Sequence, residues 1–265
     1  MDVMDLFSLK GKVAVITGGY RLYGKHSSAA LAEAGAKLYI ACRSTDAAEE
    51  TAEGLRAAGG QVETVKYSQD DAASIREMVF GVMEKEGRID IFVNTARVIP
   101  SGGVGWFQEE EGLDMAVRVN SAGMLYATML AGKQMISQRS GVIINFASMM
   151  GLVGVEKHNY DGEPGMGDGA YSHDYALNKS GIISWTRHAA SYYGRYGIRV
   201  NCVCPGGILS SRTPERFVEN YSKHTQLGRL ADNDDIKGAV LFLASDASAY
   251  ITGVSLPVDG GYTSI

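Results

Sequence analysis

Cysteine is scarce: Cys42, Cys202 and Cys204 are the only three. An odd count, with two of them spaced C-x-C inside an apolar run, does not make a disulfide framework, and buried, reduced thiols are expected. A basic surface is lacking too. Asp and Glu number 30 against 25 Lys and Arg, and the pI is about 5.6. That balance speaks against a general nucleic-acid or anionic-membrane surface. The opening stretch MDVMDLFSLKGK has no long apolar run. It reads as neither a signal peptide nor a membrane anchor, so a cytoplasmic protein is expected. No internal repeat and no linker divides the chain. What remains is a chain of 265 residues, 45% hydrophobic and 21% charged, an ordinary globular balance. It is long enough to bury its core without staples. One domain spanning 1–265 is expected.

Short runs rich in Val and Ile predict strands at 13–17, 37–42, 61–67, 89–93, 141–146 and 198–203, with a last one near 254–258. They are mostly continuous rather than alternating, as strands are when both faces of a parallel sheet are covered. Helix-like stretches lie between them, near 24–35, 45–58, 71–86, 107–137, 171–193 and 234–244. This alternation predicts an α/β fold: a single-domain, Rossmann-type, doubly wound parallel sheet of about seven strands with helices on both faces. Two segments stand apart. EKHNYDGEPGMGDGAYSHD, residues 156–174, is a loop by composition and long for a compact domain; it marks an inserted loop at about 152–172. Residues 206–230 hold a short helix candidate, PERFVENYSKH, and read as a lid.

The first strand runs into TGGYRLYG, residues 17–24. Gly18, Gly19 and Gly24 lead into a helix, and glycines there let backbone approach a pyrophosphate at a helix N-terminus. The second strand ends Ala41-Cys42-Arg43, with no carboxylate at its tip to meet a ribose 2′-hydroxyl. Arg43, with Arg21 from the glycine loop, instead suits a 2′-phosphate. NADP(H) is therefore the expected cofactor, with NAD(H) possible. The alternative is that both arginines are solvated surface charges.

YALNK places Tyr175 and Lys179 at i and i+4, on one helix face. A cation beside a phenol favours the phenolate, which suits proton transfer near neutral pH. Together with VITGG, DIFVNTA, VRVNSAG, INFASMMG, IRVNCVCPGGI and the C-terminal DDIKGAVLFLASDASAYITGVSLPVDGGY, this pattern resembles the short-chain dehydrogenase/reductase family over nearly the whole chain. The resemblance implies an NAD(P)-dependent oxidoreductase acting on an alcohol or ketone. It assigns the acid/base role to Tyr175, and to Lys179 support of Tyr175 and a hold on the nicotinamide ribose. Ser148 would bond the reacting oxygen, and Asn120 would support a water chain reaching Lys179. The implied cofactor contacts are Gly18, Tyr20, Arg21, Leu22, Arg43, Asn94, Ala96, Tyr175, Lys179, Pro205, Gly206, Ile208 and Ser210.

The departures from the family cluster on the cofactor side. Leu22 replaces the usual glycine of the phosphate loop. Arg97 stands in Asn94-Thr95-Ala96-Arg97 where the family often has glycine. It could block the adenosine half of a dinucleotide or add a phosphate contact. Ser68 takes the place where an aspartate often meets the adenine, and Ser210 keeps the hydroxyl of the usual threonine. These changes motivate a rival expectation: a catalytically idle binding or regulatory protein that keeps the fold. An epimerase or dehydratase is disfavoured, because no separate substrate domain follows.

Residues 149–174 separate Ser148 from Tyr175, and in most of the family that gap is much shorter. The insertion carries Glu156, Lys157, His158, Asn159, Tyr160, Asp161, Glu163, Asp168 and His173. Such groups suit a small polar substrate, a sugar, polyol or sugar acid; the alternative is a surface cover or subunit contact. His158, Asp161 and His173 match no strong metal-ligand spacing, and no metal is expected. In the lid, Arg212, Arg216, Lys223 and His224 could meet a carboxylate or phosphate, or form a solvated helix face. Trp106 and Phe107 are expected to start the long helix before Asn120, and Trp185 to pack in the core or at a subunit contact. The resemblance also implies a homodimer or homotetramer.

Overall fold

The computed structural model describes residues 2–98, 110–163 and 173–265. Among these, one sheet contains β1 (Val13–Thr17), β2 (Lys37–Cys42), β3 (Gln61–Lys66), β4 (Ile91–Asn94), β5 (Gly141–Phe146), β6 (Ile198–Pro205) and β7 (Ser255–Val258). Its order is β3-β2-β1-β4-β5-β6-β7, and every neighbouring pair is parallel. This is the doubly wound sheet that the sequence predicts. The described α-helices are α1 (Leu22–Glu33), α2 (Thr45–Ala57), α3 (Ala72–Glu86), α4 (Glu110–Ala116), α5 (Met124–Gln138), α6 (His173–Tyr193), α7 (Glu215–Ser222) and α8 (Lys237–Ala244).

The period-two geometry of a strand splits each apolar run between two cores. Ala14 and Ile16 of β1 join one core, with Leu31 of α1, Ala48 and Ala52 of α2, and Val240 and Leu243 of α8. Val13 and Val15 join the other, with Ile75 and Val79 of α3, Ala127 and Ala131 of α5, and Ala189 of α6. Both faces are covered, so the strands need no alternation. Local signals set the helix ends. Ser44 accepts a bond from the Ala47 N–H at the start of α2, and Asp71 accepts one from Ala73 at the start of α3. α3 stops at Gly87, whose φ of 72° is left-handed. Cys42, Cys202 and Cys204 are buried free thiols. No helix among the described residues is long and apolar enough to cross a membrane.

Two differences from the sequence reading bear on the site. β6 runs on to Pro205, because Cys204 and Pro205 pair with Pro257 and Val258 of β7. The helical stretch expected over 107–137 is not uniform: a π-helical turn, Val117–Gly123, joins α4 to α5. Its beginning, with Trp106 and Phe107, lies outside the described residues. π-turns re-aim the residues they carry, and this one carries Asn120. Gly123 explains how the turn packs: a Cβ there would overlap the Gln69 carbonyl oxygen after β3. Backbone cannot yield as a side-chain tip can. Gly123→Ala is expected to cost about 2 kcal/mol or more, read as a lowered melting temperature. A variant that melts like the unaltered chain would contradict this packing.

Candidate active site

The strand order reverses between β1 and β4, and a cleft of about 890 Å³ lies at the C-terminal ends of the strands, where doubly wound sheets bind ligands. On the β2 side its wall holds Tyr20, Arg21, Leu22, Lys25 and Arg43. Gly18, Ala96 and Arg97 line its middle. On the β5 and β6 side it is lined by Ser148, Tyr175, Lys179, Pro205, Gly206 and Arg212.

The glycine loop keeps its shape although one glycine is gone. A Cβ on Gly24 would stand 2.5 Å from the Gly18 carbonyl oxygen, so glycine lets the first turn of α1 sit on the loop. Leu22 has φ 45°, the left-handed region that favours glycine, at a cost of about 1–2 kcal/mol for an L side chain. The residue is 55% exposed, so its burial offsets little of this. No side chain caps α1, which leaves its first-turn N–H groups to a ligand. Across the cleft, two phenols hold the loop after β6. Tyr23 donates to the Gly206 carbonyl at 3.0 Å, and the Gly207 N–H donates to the Tyr221 hydroxyl oxygen at 2.6 Å. Burial pushes both phenols above the ordinary tyrosine range, so both stay protonated.

Lys179 is buried and donates to the Phe146 carbonyl at 2.8 Å. Its Nζ stands 5.7 Å from the centre of the Tyr175 ring. Burial, and secondarily the charge of Arg97, pulls its ammonium down to about 7. Arg97 lies over the same ring, with Cζ 4.2 Å from its centre. Ser148 Oγ accepts from the Met150 N–H at 3.2 Å, which fixes the turn after β5.

Several residues stand elsewhere than expected. Asn94 is buried behind the cleft wall, where its amide donates to Thr128 Oγ1 at 2.8 Å and Asn145 Oδ1 at 2.9 Å. It ties β4 to β5 and α5 rather than facing the cleft. Asn120, expected to reach Lys179 through water rather than to face the cleft, lines a small cavity together with Lys179 and Asn94. The Asn120 side chain accepts from the Val98 N–H and donates to the Val98 carbonyl, both at 2.9 Å. It thus holds the loop that carries Arg97. Ser68 turns to Asp70, and the cleft wall after β3 is Tyr67, Gln69 and Asp70. Ile208 and Ser210 line an adjoining pocket of about 550 Å³ that shares Leu22.

Three contributors escaped the sequence reading: Gln69, which donates to the Val119 carbonyl at 2.8 Å; Asn178, which donates to the Asn120 carbonyl at 2.6 Å and to Ser121 Oγ at 2.9 Å; and the Tyr23 clasp. Asn178 and Tyr23 sit inside the quoted motifs, but only their neighbours in space reveal what they do.

The described part of the insertion is docked on α7 and the turn after it. Tyr160 meets Phe217 of α7 with ring centres 5.3 Å apart, and Asn220 donates to the Asp161 carbonyl. Buried Asn159 donates to the Tyr262 hydroxyl at 2.8 Å and bonds His224 at 2.7 Å. Trp185 packs against the core. Residues 164–172, with Asp168, lie outside the described residues.

A family model described as enoyl-(acyl carrier protein) reductase matches residues 23–263. The chain belongs to the short-chain dehydrogenase/reductase family. An NADP-dependent mannitol dehydrogenase of Hypocrea jecorina is 34% identical over 98% of this chain and 96% of its own. A 2,5-dichloro-2,5-cyclohexadiene-1,4-diol dehydrogenase of Sphingobium indicum is 32% identical over 96% and 97%. A solved gluconate 5-dehydrogenase from Burkholderia cenocepacia, in complex with NADP and tartrate, matches with a TM-score of 0.88 and 29% identity over 100% of both chains.

Short-chain dehydrogenases/reductases are oxidoreductases that use NAD(P) cofactors, and this site fits one. The close seat of α1 on Gly18, its uncapped N-terminus and the cations Arg21, Lys25 and Arg43 suit a phosphate-bearing dinucleotide. Two outcomes follow from the geometry. Leu22→Gly is expected to stabilise this short-chain dehydrogenase/reductase by about 1 kcal/mol, through relief of the left-handed leucine; a fall in melting temperature would contradict the strain. Lys179 binds its proton less tightly folded, at about 7, than unfolded, at about 10.4. The unfolded chain therefore holds more protons between those values, and stability rises with pH across that window. In the apoprotein, Lys179→Met is expected to melt above the unaltered chain at pH 6, with the gap narrowing towards pH 9. A gap constant with pH would refute the buried ammonium.

Proposed function

We propose that this chain is an NADP(H)-preferring dehydrogenase or reductase of a small polar substrate: a sugar, polyol or sugar acid. One observation carries the reading. Ser148, Tyr175 and Lys179 share one cleft with the glycine loop and with Arg21 and Arg43. The relatives named for mannitol and gluconate, both with NADP in their descriptions, support it.

In this reading a nicotinamide bound in the cleft supplies or accepts the hydride. Tyr175 gives a proton to, or takes one from, the substrate oxygen at its Oη. Ser148 Oγ, held by the turn after β5, bonds that oxygen. Lys179 is fixed by the Phe146 carbonyl and presents charge beneath the phenol. Arg21 and Arg43 meet the 2′-phosphate. The protein is proposed to be cytoplasmic and to bind neither nucleic acid nor membrane. It is proposed to pair with further copies of itself through the exposed Met129 of α5 and Tyr192 of α6.

A fluorescence titration tests the cofactor. NADPH should bind in the micromolar range and NADH at least about tenfold more weakly, a difference of about 1.4 kcal/mol, which Arg43→Ala should erase. Tyr175→Phe should lower turnover on a polyol and sugar-acid panel by about 100-fold or more. Equal binding of the two dinucleotides would discard the arginine clamp. Binding of neither would favour the idle-protein reading, for which Leu22 and Arg97 are the motive.

A further inference from the structure

Charge is unevenly placed in the cleft. On the catalytic side three cations line it, Arg97, Lys179 and Arg212, and the only carboxylate on the described wall, Asp70, sits near Arg43. The chain as a whole carries a formal charge of -5, so this concentration is local. The phosphates of a dinucleotide have their own cations on the β2 side, Arg21, Lys25 and Arg43. Arg97 is the unusual one. Its guanidinium lies over the Tyr175 ring, and it makes no hydrogen bond or ion pair with any described residue. Its loop is not free to carry it away, because Asn120 holds the Val98 backbone through two bonds. It also faces a like charge, since Arg97 helps to hold the Lys179 ammonium down.

A guanidinium stacked on a ring keeps its N–H edge open, and that edge matches a carboxylate with two parallel hydrogen bonds. An anion there would relieve the repulsion between Arg97 and Lys179. We propose that Arg97 is a substrate-recognition residue that binds the carboxylate of a hydroxy acid beside Tyr175, with Arg212 adding charge, so that the enzyme prefers an acid to the matching polyol. This rests on the oxidoreductase reading above and narrows it to an anionic substrate.

Matched pairs that differ only in a carboxylate for a hydroxymethyl group test it by binding rather than turnover. Glycerate and glycerol, erythronate and erythritol, xylonate and xylitol, and gluconate and sorbitol are titrated by calorimetry into the protein, with and without saturating NADP+. In at least one pair the acid should bind about tenfold or more tightly than the polyol, as a charge-assisted pair would give. Arg97→Gln should remove that difference, and Arg97→Lys should keep part of it. The NADP+ dissociation constant should change by no more than about threefold in either variant, well under the tenfold per 1.4 kcal/mol of a lost contact. The proposal falls if no pair shows an acid preference or if the preference survives Arg97→Gln. It also falls if the variant loses NADP+ affinity and leaves the acid preference intact, which would assign Arg97 to the cofactor phosphates. An acid preference that depends on Arg97 in a protein that binds neither NADP+ nor NAD+ would keep the carboxylate site but overturn its role in substrate recognition, because the oxidoreductase reading would then have failed.

Discussion

Burying both faces of a parallel sheet takes nearly every side chain of its inner strands out of reach of a ligand. In β1 all five residues are buried, and the same holds for the four of β4. Chemistry is then confined to the strand ends and to the loops that leave them. The functional side chains described above stand within a few residues of a strand end or on a helix packed against one. Arg43 follows β2, Arg97 follows β4 and Ser148 follows β5. The sheet fixes these points relative to one another, and the loops supply the chemical identity.

Burial acts on the site's ionisable groups in opposite directions. It drives the Tyr23 and Tyr221 phenols up and the Lys179 ammonium down, because in each case the charged form loses solvation. The two phenols are thereby kept as hydrogen-bonding struts. The lysine is left near the point where it can hold or release a proton at neutral pH. Placement in the fold, rather than residue type, separates strut from participant.

Much of this was legible in the sequence. The continuous Val and Ile runs gave the strands almost to the residue, because two-sided burial leaves a strong signal. The spacing of Tyr175 and Lys179 placed both on α6, in the same cleft. Leu22 and Arg97 were marked as departures. Other features had no one-dimensional signal. The π-turn around Asn120 adds a residue to a helix without changing its composition, and the Gln69 carbonyl that packs against its Gly123 lies across the fold. Asn94 turns behind the wall because Thr128 and Asn145 offer buried partners there, and Asn120 bonds the half-buried Val98 backbone. The choice of Gln69 over Ser68 is a single-residue change of facing, which a loop sequence does not encode.

The segment around Tyr262 ties the insertion to the helix after β6. Tyr262 receives the Asn159 bond from the insertion and stacks near Tyr221 of α7, with ring centres 5.0 Å apart. Insertion, α7 and the segment around Tyr262 thus meet in one knot of aromatic and amide side chains. A fusion partner or affinity tag joined close after Tyr262 would hang from that knot. For any assay of this protein, the end that carries the tag is itself an experimental variable.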